Sequence, residues 1–121
     1  MATVEVKSFH SPDETRPFEG KGHLELVTVA GKEFGRAVFE PGWRWSNNVK
    51  PIAGTESCEF PHLMFVISGR MRISMDEGDQ FEIGAGDVAS IPPGHDAEVI
   101  GDEACVVVDV AEEDAGNAKP S

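Results

Sequence analysis

The most constraining stretch of this sequence runs from residue 84 to residue 95 and reads Gly-Ala-Gly-Asp-Val-Ala-Ser-Ile-Pro-Pro-Gly-His. Gly84 and Gly86 suit a tight turn, because glycine adopts a positive φ at little steric cost. The residues from Asp to Ile predict a short strand that ends at Pro-Pro, since proline has no N–H to donate to a sheet. Gly94 allows a bend there, and His95 follows where a new strand begins. The stretch therefore predicts a fold of short strands with a histidine at a corner.

The rest of the chain repeats this pattern of short extended segments separated by turns. Apolar residues alternate with a period of two, and no segment shows the i, i+3, i+4, i+7 spacing of an amphipathic helix. Extended segments are predicted at 23–29, 34–40, 43–45, 58–60, 62–67, 70–75, 80–83, 87–91, 97–100 and 104–110. About nine or ten short strands with glycine-rich turns are typical of an all-β sandwich or barrel.

The remaining segments define the expected domain organisation. Residues 1–20 are predicted to form an N-terminal arm, with a weak strand near Val4–Phe9 and a polar loop after it. Residues 21–111 should form one β-barrel domain, with a loop at 46–56. Residues 112–121 are mostly acidic, small or polar, which predicts a flexible tail.

Charge and cysteine content limit the partners and the compartment. The chain has 22 Asp and Glu against 10 Lys and Arg, a net charge of −12. Nucleic acid and anionic membranes are therefore not expected as partners, because such a surface repels polyanions. No apolar run approaches a membrane span and no signal peptide is evident, so we expect a cytoplasmic protein. Cys58 and Cys105 are too few for a disulfide framework and are expected to be thiols.

The glycine, the short strand, the Pro-x-Gly and the nearby histidine together resemble the second signature motif of the cupins. The resemblance covers about residues 37–110. It implies an all-β, cupin-type double-stranded β-helix, which is a jelly-roll barrel, and a homodimer. The family histidine of this motif falls on Ala97, two residues after His95. Because residues two apart on a strand share a face, His95 can still point into the barrel.

The first cupin motif is present only in part. In the family it places His-x-His and a glutamate before a closing glycine. Counting back from Gly69 puts His62 at the glutamate position and Cys58 at the second histidine position. Counting forward from Gly42 instead reaches Lys50 at the second histidine position. Neither count supplies His-x-His, so the ligand set departs from the family pattern.

The residues that best fit a metal site are Cys58, His62 and His95. A metal centre needs about three converging protein ligands with one position left for water or substrate. Thiolate and imidazole ligands favour zinc, iron, nickel or copper over calcium or magnesium. The alternative is that Cys58 is a small buried apolar residue and that each histidine makes one hydrogen bond at a barrel corner.

A second group of residues is expected to contact a small molecule in the barrel. Trp43 and Trp45 offer flat apolar surfaces for stacking, and Met64 would add an apolar wall beside His62. Lys50 could hold a carboxylate. The alternatives are that the tryptophans fill the core or a dimer interface and that the lysine is solvated or paired.

Two hypotheses about function follow. The first is a small cupin that binds a transition metal in the barrel and acts as a dioxygenase- or isomerase-like enzyme. The second is a metal-free module that binds or senses a small organic molecule. Leu63, Phe65 and Ile67 face away from His62 on the same strand, and a partner subunit would cover them if no other sheet does.

Overall fold

The computed structural model describes residues 3–112, and β-strands make up about half of that range. Two short helices lie between the third and fourth strands. The elements are β1 (Glu14–Pro17), β2 (Gly22–Val29), β3 (Lys32–Phe39), α1 (Trp45–Asn48), α2 (Lys50–Ala53), β4 (His62–Ser68), β5 (Arg70–Met75), β6 (Gln80–Gly84), β7 (Val88–Ile91), β8 (His95–Val99) and β9 (Cys105–Glu112). In the described range, neither helix has the length and apolarity to cross a bilayer.

The strands form two antiparallel sheets that face each other. The larger sheet has the order β1-β2-β3-β9-β4-β7, and the smaller has the order β6-β5-β8. Strands that are distant in sequence, such as β3 and β9, are therefore neighbours in space. This is the all-β jelly-roll architecture that the sequence predicts.

Side-chain alternation along β4 shows how the core is built. His62, Met64 and Val66 are buried on the inner face, whereas Leu63 and Phe65 are exposed on the outer face. The buried hydrophobic residues of both sheets form one cluster, with Trp43, Trp45, Val49, Val66, Cys105 and Val107 nearly inaccessible to solvent. The face of β4 that was predicted to be internal therefore packs into the core.

The N-terminal arm differs from the prediction. The expected strand near Val4–Phe9 is wrong, because Val4 and Val6 are exposed and belong to no strand. The strand of the arm is β1, which pairs with the near end of β2 across a short turn. As an edge strand with charged side chains, β1 carries no alternating apolar signal. Of the tail expected at 112–121, Glu112 ends β9 and the rest lies outside the described residues.

The segment after β3 also differs from the prediction. Trp45 was expected in an extended segment and 46–56 in a loop, but the chain forms α1 and α2 there. The N–H groups of Asn48 and Val49 close the first turn on Arg44 and Trp45. Gly54 ends α2 with a φ of 77°. Each helix is a single turn, too short to show a helical period in the sequence.

The two sheets have two seams, which are the sides where an edge of one sheet approaches the other sheet, and only one of them is closed. On the β8 side, the segment before β4 closes the barrel, because the N–H of Val99 donates to Trp43 O at 2.9 Å and the N–H of Cys58 donates to His95 O at 2.7 Å. On the other side, β6 and β7 are the edge strands of their sheets. Cys58 and His95 of the candidate site lie at this closed seam, whereas His62 lies on β4 beside the edge strand β7.

Candidate metal centre

Three buried side chains meet inside the barrel: Cys58, His62 and His95. Each offers one ligand atom, and these atoms lie within 4.8 Å of one another. Sγ of Cys58 is 3.6 Å from Nε2 of His62. The two imidazole rings meet edge to face, with centroids 5.3 Å apart. The structure therefore brings together the three residues that the sequence analysis proposes as metal ligands.

Local backbone geometry places each of these residues. His62 is the first residue of β4 and His95 is the first residue of β8, so His95 shares the inner face with Ala97. Cys58 belongs to no strand, although one was predicted at 58–60, and an isolated bridge joins it to His95. Gly94 has a φ of 90° and donates its N–H to Cys58 O at 2.7 Å. This glycine turn is what brings the thiol beside the imidazoles.

The orientation of His62 is set by Asp109 on β9. Nδ1 of His62 donates to Oδ2 of Asp109, and Oδ1 of the same carboxylate accepts the N–H of Leu63 at 3.2 Å. Because the carboxylate can only accept, Nδ1 carries the proton and Nε2 faces Cys58. Carboxylate–histidine pairs of this kind orient metal ligands in many proteins.

The orientation of His95 is set by a backbone carbonyl. Its Nδ1 donates to Pro92 O at 2.8 Å, which leaves the lone pair on Nε2 for a ligand. Burial lowers the pKa of His95 below its usual value, although the hydrogen bond to Pro92 acts in the opposite direction. The neutral ring is the form that binds a metal ion.

The separation between Cys58 and His62 agrees with that of two ligands in a tetrahedral zinc site. Zinc bond lengths of about 2.3 Å to sulfur and about 2.0–2.1 Å to nitrogen give a sulfur–nitrogen separation of about 3.6 Å in a tetrahedron. The Cys58–His62 separation is 3.6 Å. Three ligands leave a fourth position for water or substrate, as in catalytic zinc sites.

A small cavity lies next to the two histidines. Its volume is about 20 Å³, enough for a species the size of one water molecule. The residues around it are Phe39, Trp43, Trp45, His62, Met64, Met71, Ile73, Ile91, His95 and Ala97. Three of the four residues predicted to contact a ligand, Trp43, Trp45 and Met64, thus surround the same cavity as the histidines.

Lys50, the fourth, does not line this cavity. Its Nζ lies 3.3 Å from Oε1 of Glu56, an exposed carboxylate in the following loop. The lysine is at the start of α2, which is close to the surface. The structure therefore separates Lys50 from the other predicted site residues.

The two tryptophans have an unusual hydrogen-bonding state. Both indole Nε1 atoms are buried and have no acceptor among the described residues. A buried donor without a partner costs about 1–3 kcal/mol. A ligand or water that reached these N–H groups with an oxygen acceptor would recover part of that cost.

The sequence prediction missed Asp109. It lies at an inward position of β9, where its neighbours on the same face, Cys105 and Val107, are fully buried. A carboxylate on the apolar face of a strand was the available signal, because such groups need a partner. Cys105 is not part of the site, and burial raises the pKa of its thiol to about 11.

The fold and a family match define a small cupin-domain protein. Residues 47–110, more than half of the chain, match the EutQ-like cupin domain. The chain belongs to this family, and the cupin fold expected from the sequence is confirmed. No curated protein matches the chain.

Solved structures support the same fold. A double-stranded β-helix protein from Klebsiella pneumoniae is 22% identical over 94% of this chain and 95% of its own, with a TM-score of 0.62. The polyketide cyclase RemF from Streptomyces resistomycificus is 16% identical over 98% and 83%, with a TM-score of 0.64. A cupin-superfamily sugar phosphate isomerase from Silicibacter pomeroyi is 15% identical over 89% and 75%, with a TM-score of 0.62. At these identities the similarity establishes the fold alone.

Proposed function

We propose that this cupin binds a transition-metal ion through Cys58, His62 and His95 and presents it to a small ligand inside the barrel. The observation that carries the proposal is the convergence of three buried ligand atoms within 4.8 Å. The hydrogen bonds from both Nδ1 atoms add to it, because they leave each Nε2 available as a ligand atom.

Among zinc, iron, nickel and copper, we favour zinc. One thiolate and two imidazoles with an open fourth position are a common zinc ligand set, and the Cys58–His62 separation agrees with zinc bond lengths. The missing His-x-His argues against an ordinary cupin dioxygenase. A bound zinc ion would act as a Lewis acid toward an oxygen of the ligand.

The surrounding residues define what the site accepts. The cavity of about 20 Å³ admits a single small group, such as a water molecule or the end of a larger substrate. Trp43 and Trp45 exclude bulk water, and their indole N–H groups favour an oxygen acceptor. Two of the similar structures bear the names of a cyclase and an isomerase, and an enzymatic role is part of this proposal.

A metal-free binding module is the second candidate. It is favoured by the same indole N–H groups, since they would serve an organic ligand whether or not a metal is bound. In that case Cys58 and the two histidines would contribute only packing and hydrogen bonds. Metal content separates the two candidates.

The test is elemental analysis of protein purified without an affinity tag, after incubation with zinc, iron, nickel and copper salts. We expect close to one transition-metal ion per chain in the wild type and a loss of that ion in His62→Ala and Cys58→Ser. His10→Ala is the matched control, because His10 is exposed and far from the site in sequence. Trace metal in the wild type would refute the proposal and leave the metal-free module.

A further inference from the structure

An apolar groove opens between the edge strands β6 and β7, where the two sheets do not meet. We call it the lateral groove; its apolar lining includes Ile73, Met75, Phe81, Ile83, Ala89 and Ile91. Its volume is about 380 Å³, within the range of pockets that hold small organic molecules. Phe81 pairs with buried Ile73 and lies on the inner face, yet it is 56% exposed. The barrel is therefore open along this seam.

Both ligand histidines lie directly behind the lateral groove. His62 on β4 pairs with Ile91 on β7, and His95 on β8 pairs with Met75 on β5. Cross-strand partners have Cβ atoms about 5 Å apart, so one layer of side chains separates the groove from the histidines. Ile73 and Ile91 line both the groove and the small cavity beside the histidines.

The charge around the lateral groove is negative. Glu77 and Asp79 lie at its rim in the exposed turn between β5 and β6, and no lysine or arginine is among the described residues that line it. Arg70 and Arg72 on β5 are engaged with Glu82 instead. An anionic molecule would be repelled here, whereas an uncharged apolar molecule would bury its surface without losing charge hydration.

We propose that the lateral groove binds the apolar body of an uncharged organic substrate. The polar end of that substrate would pass between Ile73 and Ile91, which separate the groove from the small cavity, and would reach the metal there. That end would carry a carbonyl or hydroxyl oxygen, the group that suits both the metal and the indole N–H groups. The role given to the polar end rests on the proposed function, because it requires a bound metal. Binding of the apolar body does not depend on it.

Two fluorescent probes with a shared skeleton test the groove in the zinc-loaded full chain. N-phenyl-1-naphthylamine is uncharged, and 8-anilino-1-naphthalenesulfonate adds one sulfonate. We expect the neutral probe to bind one per chain and roughly tenfold or more tighter than the anion, which is about 1.4 kcal/mol. Equal affinities would overturn the charge argument, and failure of the neutral probe to bind would overturn the proposal.

Two neighbouring residues of β7 locate the probe. Ala89→Leu places a leucine side chain in the lateral groove, whereas Val88→Leu places the same side chain on the outer face, where Val88 is exposed. We expect Ala89→Leu to lower the affinity for the neutral probe by roughly tenfold and Val88→Leu to leave that affinity unchanged. Equal binding by both variants would place the probe elsewhere and refute the groove. If Ala89→Leu does not fold, the double variant Glu77→Gln and Asp79→Asn tests the groove instead. Because it removes the negative charges at the rim, it should strengthen the binding of the anionic probe and leave that of the neutral probe unchanged.

Metal content and quenching separate this proposal from the proposed function. Ala89→Leu should keep its zinc, so probe loss with metal retained supports the groove. A wild type that binds the neutral probe but no metal would refute the metal centre and leave the groove. With metal bound, cobalt(II) should quench the bound probe more than zinc(II) does, because only cobalt is paramagnetic. Equal fluorescence in the two forms would show that the groove is not adjacent to the site.

Discussion

His62 and Asp109 are joined by a hydrogen bond between side chains that lie 47 residues apart in the chain. The pair exists because β4 and β9 are adjacent, with Met64 opposite Asp109. The same carboxylate holds the N–H of Leu63, so its position is set from two directions. Asp109 is therefore the positioning residue for the imidazole that faces Cys58.

Replacing Asp109 by asparagine should weaken metal binding without removing a ligand. The amide keeps the size of the side chain but lacks the charge that strengthens the hydrogen bond to His62. Changes at such supporting partners typically cost about 10–100-fold in metal affinity, and we expect Asp109→Asn to fall in this range. Competition with a chromophoric zinc chelator measures it.

The control for this experiment is Asp102→Asn, which makes the same chemical change in an exposed turn. It should bind zinc as the wild type does. Affinity in Asp109→Asn equal to that of the control would show that the carboxylate does not support the metal ligand.

The sequence predicted those features of the fold that depend on neighbouring residues. The period of two along 62–67 identifies the inner face, and the burial of His62 and Met64 agrees with it. The Pro-Pro-Gly corner before His95 is likewise local, because it needs only the restricted φ of proline and the positive φ of glycine. Such patterns are readable without knowing which strands pair.

The features that the sequence did not predict depend on distant pairing. The partnership of His62 with Asp109 requires β4 to lie beside β9, and no local pattern specifies which strand neighbours which. The sequence predicted that Cys58 and His95 converge, but it did not predict the isolated bridge that joins them. The open seam at the lateral groove is similarly a property of two sheets, because only their separation leaves the inward-facing Phe81 exposed.

Glu98 should contribute acid-sensitive stability. Hydrogen bonding from Arg44, with a further contribution from Arg72, lowers the pKa of Glu98 below its usual 4.5. The folded state therefore favours the carboxylate, so this contribution is present above about pH 4.5 and is lost as the pH falls through the lowered pKa. We expect Glu98→Gln to lower the free energy of unfolding by about 1 kcal/mol at pH 7, since the network is partly exposed.

Urea unfolding at pH 7 and at acid pH checks this prediction. The gap between wild type and Glu98→Gln should narrow as the pH falls below 4.5. Glu40→Gln, at an exposed position outside the strands, should show no comparable gap at either pH. A gap that is constant with pH would mean that the variant acts through packing and not through the charge of Glu98.

Cys105 should make the protein sensitive to alkali. Burial, and to a smaller extent the nearby Glu103, raises the pKa of its thiol from 9.0 to about 11. A folded-state pKa above the unfolded value gives stability that is complete below pH 9.0 and is lost as the pH rises toward about 11. Relative to Cys105→Ala, the wild type should lose roughly 1–2 kcal/mol over this interval.

The measurement is the free energy of unfolding of both proteins at pH 8 and near pH 11, with a reductant present. Cys105→Ala is expected to be less stable at pH 8, because it leaves a cavity in the core. Its disadvantage should shrink as the pH rises. Parallel losses in the two proteins would show that the thiol of Cys105 ionises as easily in the folded state as in the unfolded state.

The outer face of β4 leads to the last prediction, which concerns the expected homodimer. Leu63, Phe65 and Ile67 are 53%, 47% and 47% exposed. Phe65 pairs with Val88 on β7 and with Val108 on β9, so the apolar surface extends across three strands. We propose that a second copy of the chain covers it, because two such uncharged faces can pack together without desolvating any charge.

Sedimentation equilibrium over a wide range of protein concentration tests the dimer. The wild type should have twice the mass of the chain, and Phe65→Glu should have the mass of one chain while keeping its strand content. A carboxylate at the centre of the interface would be buried opposite an apolar partner. The free-energy cost of burying that charge exceeds the free energy that a small interface gains on association. Val6→Glu is the matched control, because Val6 is an exposed valine outside this face, and it should remain dimeric. A wild type that is monomeric at every concentration would refute the proposed interface.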